Sequence, residues 1–327
     1  MTDEQAVGTR GNEKLYAGID AGGTEFKCIL ATGPDQVVAQ DKIPVTYPET
    51  TLAACRDFFR AAQQAHGSFA ALGIASFGPV DLRRDSPTYG SITSTPKPHW
   101  ANINIVGYFS DALALPIRFD TDVNGALLAE WCWGAAQGLE NAIYVTVGTG
   151  IGAGVMVDGR LLHGTMHPEA GHMLLPRYPG DPFVGSCPYH GACLEGLASG
   201  PALAQRWQVD PKSLPDNHPA WELQAHYLAS MCVNLALTYS PQRIVIGGGV
   251  MERASLLPMI RKAYLAQMNA YLGDQTKDIE HFIVPAGLGG LAGASARLLL
   301  LNRRFNTGFS NPSRVQPPTS KNIRSTP

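Results

Sequence analysis

The order of apolar and polar stretches divides the chain into two similar series. KLYAGIDAGGTEFKCILAT (14–32) and NAIYVTVGTGIGAGVMVDG (141–159) each run from an apolar stretch through a Gly/Thr turn into a second apolar stretch. Two such runs joined by a glycine turn predict a β-hairpin. Its recurrence predicts two related halves. After the first hairpin, TTLAACRDFFRAAQQAH (50–66) carries apolar residues at helical spacing behind hydroxyl residues suited to capping. ALGIASF (71–77) reads as a buried strand ended by Gly78-Pro79, and PIRF (116–119) as a short one. DVNGALLAEWCWGAAQG (122–138) reads as a helix opening at Asp122. Further on come a helix over 220–240, the strand RIVIGGG, a helical stretch over 251–271, the strand FIVPA (282–286) and a last helix over 290–301. Strands alternating with helices predict α/β layers. Two halves with a glycine hairpin each predict a cleft between lobes.

Some stretches lack a period. Residues 83–100 are irregular and rich in Pro, Ser and Thr, and 163–201 carry many Gly, Pro and His. A loop as long as the second, inside a compact protein, is expected to be functional or held by something. The chain has 327 residues, more than one core usually serves. The expected division is an N-terminal lobe over 14–121, with the 290–302 helix packing back on it, and a C-terminal lobe over 122–289 that includes loop 163–201. Residues 303–327 are polar and Pro-rich and are expected to be a disordered tail.

Composition removes several classes. A net charge of −2 leaves no electrostatic footprint for nucleic acid or an anionic membrane. No run reaches the roughly 18 apolar residues of a membrane span. The polar start lacks the apolar core of a signal peptide, so a cytoplasmic protein is expected. Of six cysteines, Cys28, Cys55, Cys132 and Cys232 stand singly and read as small buried apolar residues. Cys187 and Cys193 flank His190, which favours a metal over a disulfide.

The chemistry collects in a few places. Gly22 and Gly23 let backbone N–H groups approach an anion, Thr24 adds a hydroxyl and Lys27 a charge. Neither a GxxxxGK[ST] loop nor a GxGxxG turn is present. One such turn reads equally well as a tight hairpin. The second, 146–152 with Thr149 at its centre, favours a pair of phosphate turns facing one cleft. Gly247, Gly248 and Gly249 follow a strand and precede a helix, a third close-approach site suited to adenosine or its phosphates. Asp122 reads as a helix N-cap or as a general base that orients a substrate hydroxyl, and the two roles are compatible. His172, Cys187, His190 and Cys193 form H-x14-C-x2-H-x2-C, four donors that fit a closed tetrahedral zinc site. Such a zinc would order the loop that presents Glu169 and Glu195.

GIDAGGT, TDVNGALLAE, VTVGTGIGAG, EAGH, CPYHGACLEGLASGPA and IGGGVM together resemble the ROK family of bacterial sugar kinases over about residues 15–300. YGSITSTPKPHW (89–100), TDVNG and the Cys-x2-His-x2-Cys variant look like its fructokinase branch. The resemblance implies the two-lobed actin-like ATPase fold (ribonuclease H-like, α/β), here with a zinc-stapled loop. It implies ATP and Mg2+, phosphorylation of the 6-hydroxyl of fructose, structural Zn2+ and a homodimer. Asp122 would be the base, and Glu169, His172 and Glu195 would meet sugar hydroxyls. Thr95 and Lys97 would lie on the sugar side, with Thr121 where many members have Asn. Gly22, Gly23, Thr24 and Thr149 match the phosphate turns. Pro201 and Gly247 to Met251, with Val250 among them, match positions near the adenine nucleotide. His99 stands where the fructokinase segment often has Gly. Another hexose (mannose, glucose or N-acetylmannosamine) is the alternative substrate, and a sugar-sensing regulator the remoter one.

Overall fold

A computed structural model describes residues 15–33, 36–273 and 278–288. Strand β1 (Tyr16–Ala21) pairs antiparallel with β2 (Glu25–Gly33), and β2 with β3 (Gln36–Pro44). Helix α1 (Pro48–His66) leads to β4 (Leu72–Ser76). Helix α2 (Ile105–Leu113) leads to β5 (Ile117–Thr121). Both strands join β1 in parallel, giving the order β3-β2-β1-β4-β5. Helix α3 (Asp122–Trp133) then crosses to a second sheet. There β6 (Ala142–Val147), β7 (Ile151–Val157) and β8 (Arg160–Leu161) form an antiparallel series. Short α4 (Leu194–Ala198), α5 (Gly200–Trp207) and long α6 (Ala220–Tyr239) precede β9 (Arg243–Gly247). Then α7 (Leu256–Met268) and α8 (Ile279–Phe282) precede β10 (Ile283–Pro285). The second sheet runs β10-β9-β6-β7-β8, with β9 and β10 parallel to β6.

Each sheet is therefore one antiparallel triplet continued by two parallel strands. The related halves expected from the paired hairpins are present as a repeated topology. Each sheet has its own core. Ile19, Leu30, Phe59, Ile74 and Phe109 anchor the first, and Val145, Val155, Leu228, Leu235 and Ile246 the second. Parallel strands buried on both faces need apolar residues throughout, and β4 is buried at all five positions.

α3 joins the halves. It packs against β4 and β5 of one sheet and β6 and β7 of the other. Its close seat on β7 depends on missing side chains: a Cβ at Gly154 would lie 2.5 Å from the Val123 carbonyl oxygen, and one at Gly152 3.1 Å from Val123 Cγ1. Buried Glu130 near its end accepts N–H bonds from Ala135 (2.6 Å), Gly287 (3.0 Å) and Leu288 (3.0 Å), fixing the chain after β10. The helix expected over 290–302 and the tail over 303–327 lie outside the described residues.

Candidate active site

The strand ends carry the functional groups. Parallel β1, β4 and β5 end together at Ala21, Ser76 and Thr121, and β6 and β9 at Val147 and Gly247. The crevice beyond such carboxyl ends is where open α/β sheets bind ligands.

Asp122 is the first helical residue of α3, and the cap in front of it is Thr121. The Thr121 hydroxyl accepts from the Asn124 N–H at 3.1 Å, so the Asp122 carboxylate is not used as the cap. Asp122 Oδ1 accepts from the Val123 N–H at 2.8 Å. Burial nevertheless outweighs that bond and raises its pKa to about 6. Asp20, at the end of β1, is raised to about 7 by burial, opposed by Lys27 and reinforced by Asp122. The Lys27 ammonium stands 3.9 Å from Asp20. Glu169 is raised to about 7 by burial and by the charges of Asp122 and Glu195. Three carboxyl groups of one cleft thus titrate near neutrality, an arrangement that clusters at functional sites.

Two glycine turns line the cleft. In the first, the Gly22 N–H donates to the Glu25 carbonyl at 3.1 Å, and Gly23 and Thr24 are exposed at the tip. The Lys97 ammonium reaches the Gly23 carbonyl, so this residue of the 83–100 segment lies over the first glycine turn. Thr95 holds the same segment by accepting from the Lys97 N–H at 3.3 Å. In the second turn Gly148 bonds to the Gly150 carbonyl at 2.9 Å, with Thr149 exposed between them. The start of α5 docks on it, the Gly200 N–H donating to the Gly148 carbonyl at 2.8 Å. Pro201 occupies the first turn of α5, whose cap is the Ser199 hydroxyl (3.3 Å). Gly248, with φ of 95°, packs directly on Val147, and Gly249 to Glu252 continue as one 3-10 turn that carries Val250 and Met251. Both glycine sites beyond the first turn therefore converge on the start of α5.

His172, Cys187, His190 and Cys193 place one donor atom each within 4.8 Å of one another. Cys187 Sγ lies 3.7 Å from Nδ1 of His172 and 3.7 Å from Nδ1 of His190, and Cys193 Sγ lies 3.5 Å from His172 Nδ1. Tetrahedral zinc with Zn–S of about 2.3 Å and Zn–N of about 2.05 Å requires S···N edges of about 3.6 Å. The donor set therefore fits a tetrahedral zinc ion. Cys193 precedes α4, and Glu195 stands in its first turn. Glu195 Oε2 accepts from the Ile151 N–H at 2.9 Å, so this carboxylate is partly engaged in joining the Cys/His cluster to the second glycine turn. On the other side the 3-10 turn Ala170–His172 presses on β7, where a Cβ at Gly171 would overlap the Ile151 carbonyl.

His99 has a φ of 71°, a left-handed backbone that favours glycine, and its ring lies 4.7 Å from that of Tyr47. A glycine would suit this turn for the same backbone reason. Asp20 and His167 are not singled out by the sequence, and His163 only as a residue that could sit near a site, with a surface or core role favoured. Asp20 was read only as part of its glycine turn. His163 lies 2.9 Å from Asp120, and His167 accepts from the Val80 N–H. The available signal was their place ahead of Glu169 in HGTMHPE.

The duplicated sheet and its glycine-lined cleft define the actin-like ATPase fold. The chain belongs to the ROK family, whose model matches residues 16–303. It is 46% identical over 291 residues to a fructokinase of Zymomonas mobilis, an alignment covering 87% of this chain and 95% of that protein. It is 41% identical over 286 residues to a fructokinase of Pediococcus pentosaceus, covering 88% and 97%. Among solved structures it resembles a ROK hexokinase from Thermus thermophilus, with a TM-score of 0.69 at 28% identity over 87% of this chain and 97% of that one. No helix among the described residues is long and apolar enough to cross a membrane.

Proposed function

We propose that this chain transfers the terminal phosphoryl group of ATP, with Mg2+, to the 6-hydroxyl of D-fructose. The observation that carries the reaction type is the position of Asp122, a carboxyl whose pKa is raised to about 6 by burial at the start of the helix that packs on both sheets. The choice of sugar rests on the relatives at 46% and 41% identity, both fructokinases.

In this reading Asp122 accepts the hydroxyl proton as the oxygen attacks phosphorus, and its seat at the start of α3 fixes its direction. Gly22, Gly23, Thr24 and Thr149 hold phosphate oxygens, with Lys97 and Lys27 adding positive charge. Pro201 and Gly247 to Met251 form the nucleotide side. Mg2+ supplies neutralisation of the phosphate charge. Glu169 and the second oxygen of Glu195 accept from sugar hydroxyls, and Thr95 shapes the sugar side. Thr121 contributes through its cap, its hydroxyl accepting from the Asn124 N–H while its own O–H can donate to a sugar hydroxyl. His172 has Nδ1 turned to the metal cluster, which leaves Nε2 for the sugar. His172, Cys187, His190 and Cys193 would hold a structural Zn2+, which orders the loop between Glu169 and Glu195. A cytoplasmic setting and, on the family resemblance, a homodimer complete the reading.

The test is ADP release with MgATP against fructose, mannose, glucose and N-acetylmannosamine. The highest kcat/KM is expected for fructose. A higher value for another hexose would reject fructose as the substrate, and no turnover with any of them would reject the kinase.

A further inference from the structure

The strap between β8 and Glu169 carries two histidines, and both reach back to the first sheet. His163 Nε2 stands 2.9 Å from Asp120 Oδ2, near the end of β5. His167 Nε2 accepts from the Val80 N–H at 3.1 Å, four residues beyond β4. His167 is only 6% exposed, and its ring lies over Gly78, where a Cβ would be 3.2 Å from its Cε1. That ring is held on several sides and cannot turn freely.

The bond to Val80 decides the tautomer. A peptide N–H only donates, so Nε2 must be the lone-pair nitrogen and the ring proton sits on Nδ1. Burial lowers the pKa of this histidine, consistent with a neutral ring. Nδ1 lies 3.5 Å from Glu169 Oε1. The contact to Glu169 is a close polar approach, longer than a normal hydrogen bond.

We propose that His167 is a positioning residue for Glu169. It takes a proton bond from Val80 and directs its own N–H to one carboxylate oxygen, leaving the other oxygen for a sugar hydroxyl. The sugar-reading carboxylate is thereby referenced to the first sheet, although the chain reaches it from the second. This rests on the assignment of Glu169 to the sugar.

Two amides separate this role from a purely structural one. Asn at 167 places its Nδ2 near the position of His Nδ1 and can donate to Glu169, but cannot reach Val80. Gln places its terminal group near the position of Nε2 and can accept from Val80, but does not serve Glu169. Sugar KM, ATP KM, kcat, bound zinc and thermal stability are measured for His167→Ala, His167→Asn and His167→Gln, each with and without Glu169→Gln. The sugar is the one the unaltered protein turns over fastest. A hydrogen bond to a charged group is worth about 10- to 100-fold, so His167→Ala should raise sugar KM by about that factor, with ATP KM and zinc little changed. His167→Asn should recover most of the loss and His167→Gln little of it. In the Glu169→Gln background the His167→Ala change should add less than about twofold, since a residue acting through another shows strong coupling. Rescue by Gln rather than Asn, or full additivity with Glu169→Gln, overturns the proposal. Absence of turnover in the unaltered protein would instead reject the kinase reading itself.

Discussion

Replacing Asp122 by Asn should make the protein more stable and nearly inactive. The carboxyl is raised from 3.8 to about 6, chiefly by burial. Between about pH 4 and pH 6 the folded protein holds a proton here that the unfolded chain has released. Stability therefore falls as pH rises through that window and stays lower above it. A rise of about two pH units corresponds to about 3 kcal/mol at one group, an upper value for a half-buried side chain. Asn keeps an oxygen for the Val123 N–H at 2.8 Å and has no charge to desolvate. At pH 7.5 it should gain about 1–3 kcal/mol, seen as a rise of several degrees in Tm. Toward pH 4 the gain should vanish. The same change removes the base, which costs about 10²- to 10⁴-fold in kcat. In the unaltered protein kcat should fall as pH drops below about 6, following protonation of Asp122. The assays are thermal unfolding at pH 5 and 7.5 and coupled ADP release from pH 5 to 9. An Asp122→Asn variant less stable than the parent at pH 7.5, or one that keeps near-parental kcat, refutes the reasoning.

Two further outcomes are expected. Cys187→Ser together with Cys193→Ser should reduce bound zinc from about one ion per chain to almost none and lower Tm, because metal binding is coupled to folding of its loop; elemental analysis that finds no zinc in the parent protein would dispose of the site. Lys97→Met should lower kcat by about 10- to 100-fold with a smaller change in sugar KM, since the ammonium lies at the Gly23 turn; a change in sugar KM alone would place Lys97 on the sugar instead.

What the sequence disclosed follows from the range of the interactions involved. The two hairpins, β4 and α6 are specified by local periodicity, and all appear where the pattern predicts. The Cys/His cluster was legible because three of its residues are neighbours in the chain. Strand β3 was missed because it lies on the edge of its sheet and is mostly exposed, so it has little apolar signal. Helices α4 and α5 were missed because they are short and are fixed by Cys193, Ser199 and the second glycine turn. Asp122 was expected as cap, as base, or as both. The structure gives the cap to Thr121, a distinction of one residue that spacing does not make. The partners of His163 and His167 are 43 and 87 residues away in the chain, beyond any local pattern.

The alternating glycines of β7 have a consequence for which mutations the protein tolerates. Gly152 and Gly154 carry no chemical group, yet Val123, the residue after Asp122, rests directly on both. Even a methyl at Gly154 must push the carboxylate-bearing turn away, because the atom it meets is backbone and has no rotamer to escape into. Variation should therefore be purged from these silent positions almost as strictly as from Asp122 itself. A scan of single substitutions would rank them among functional residues, though neither has a side chain to offer a substrate.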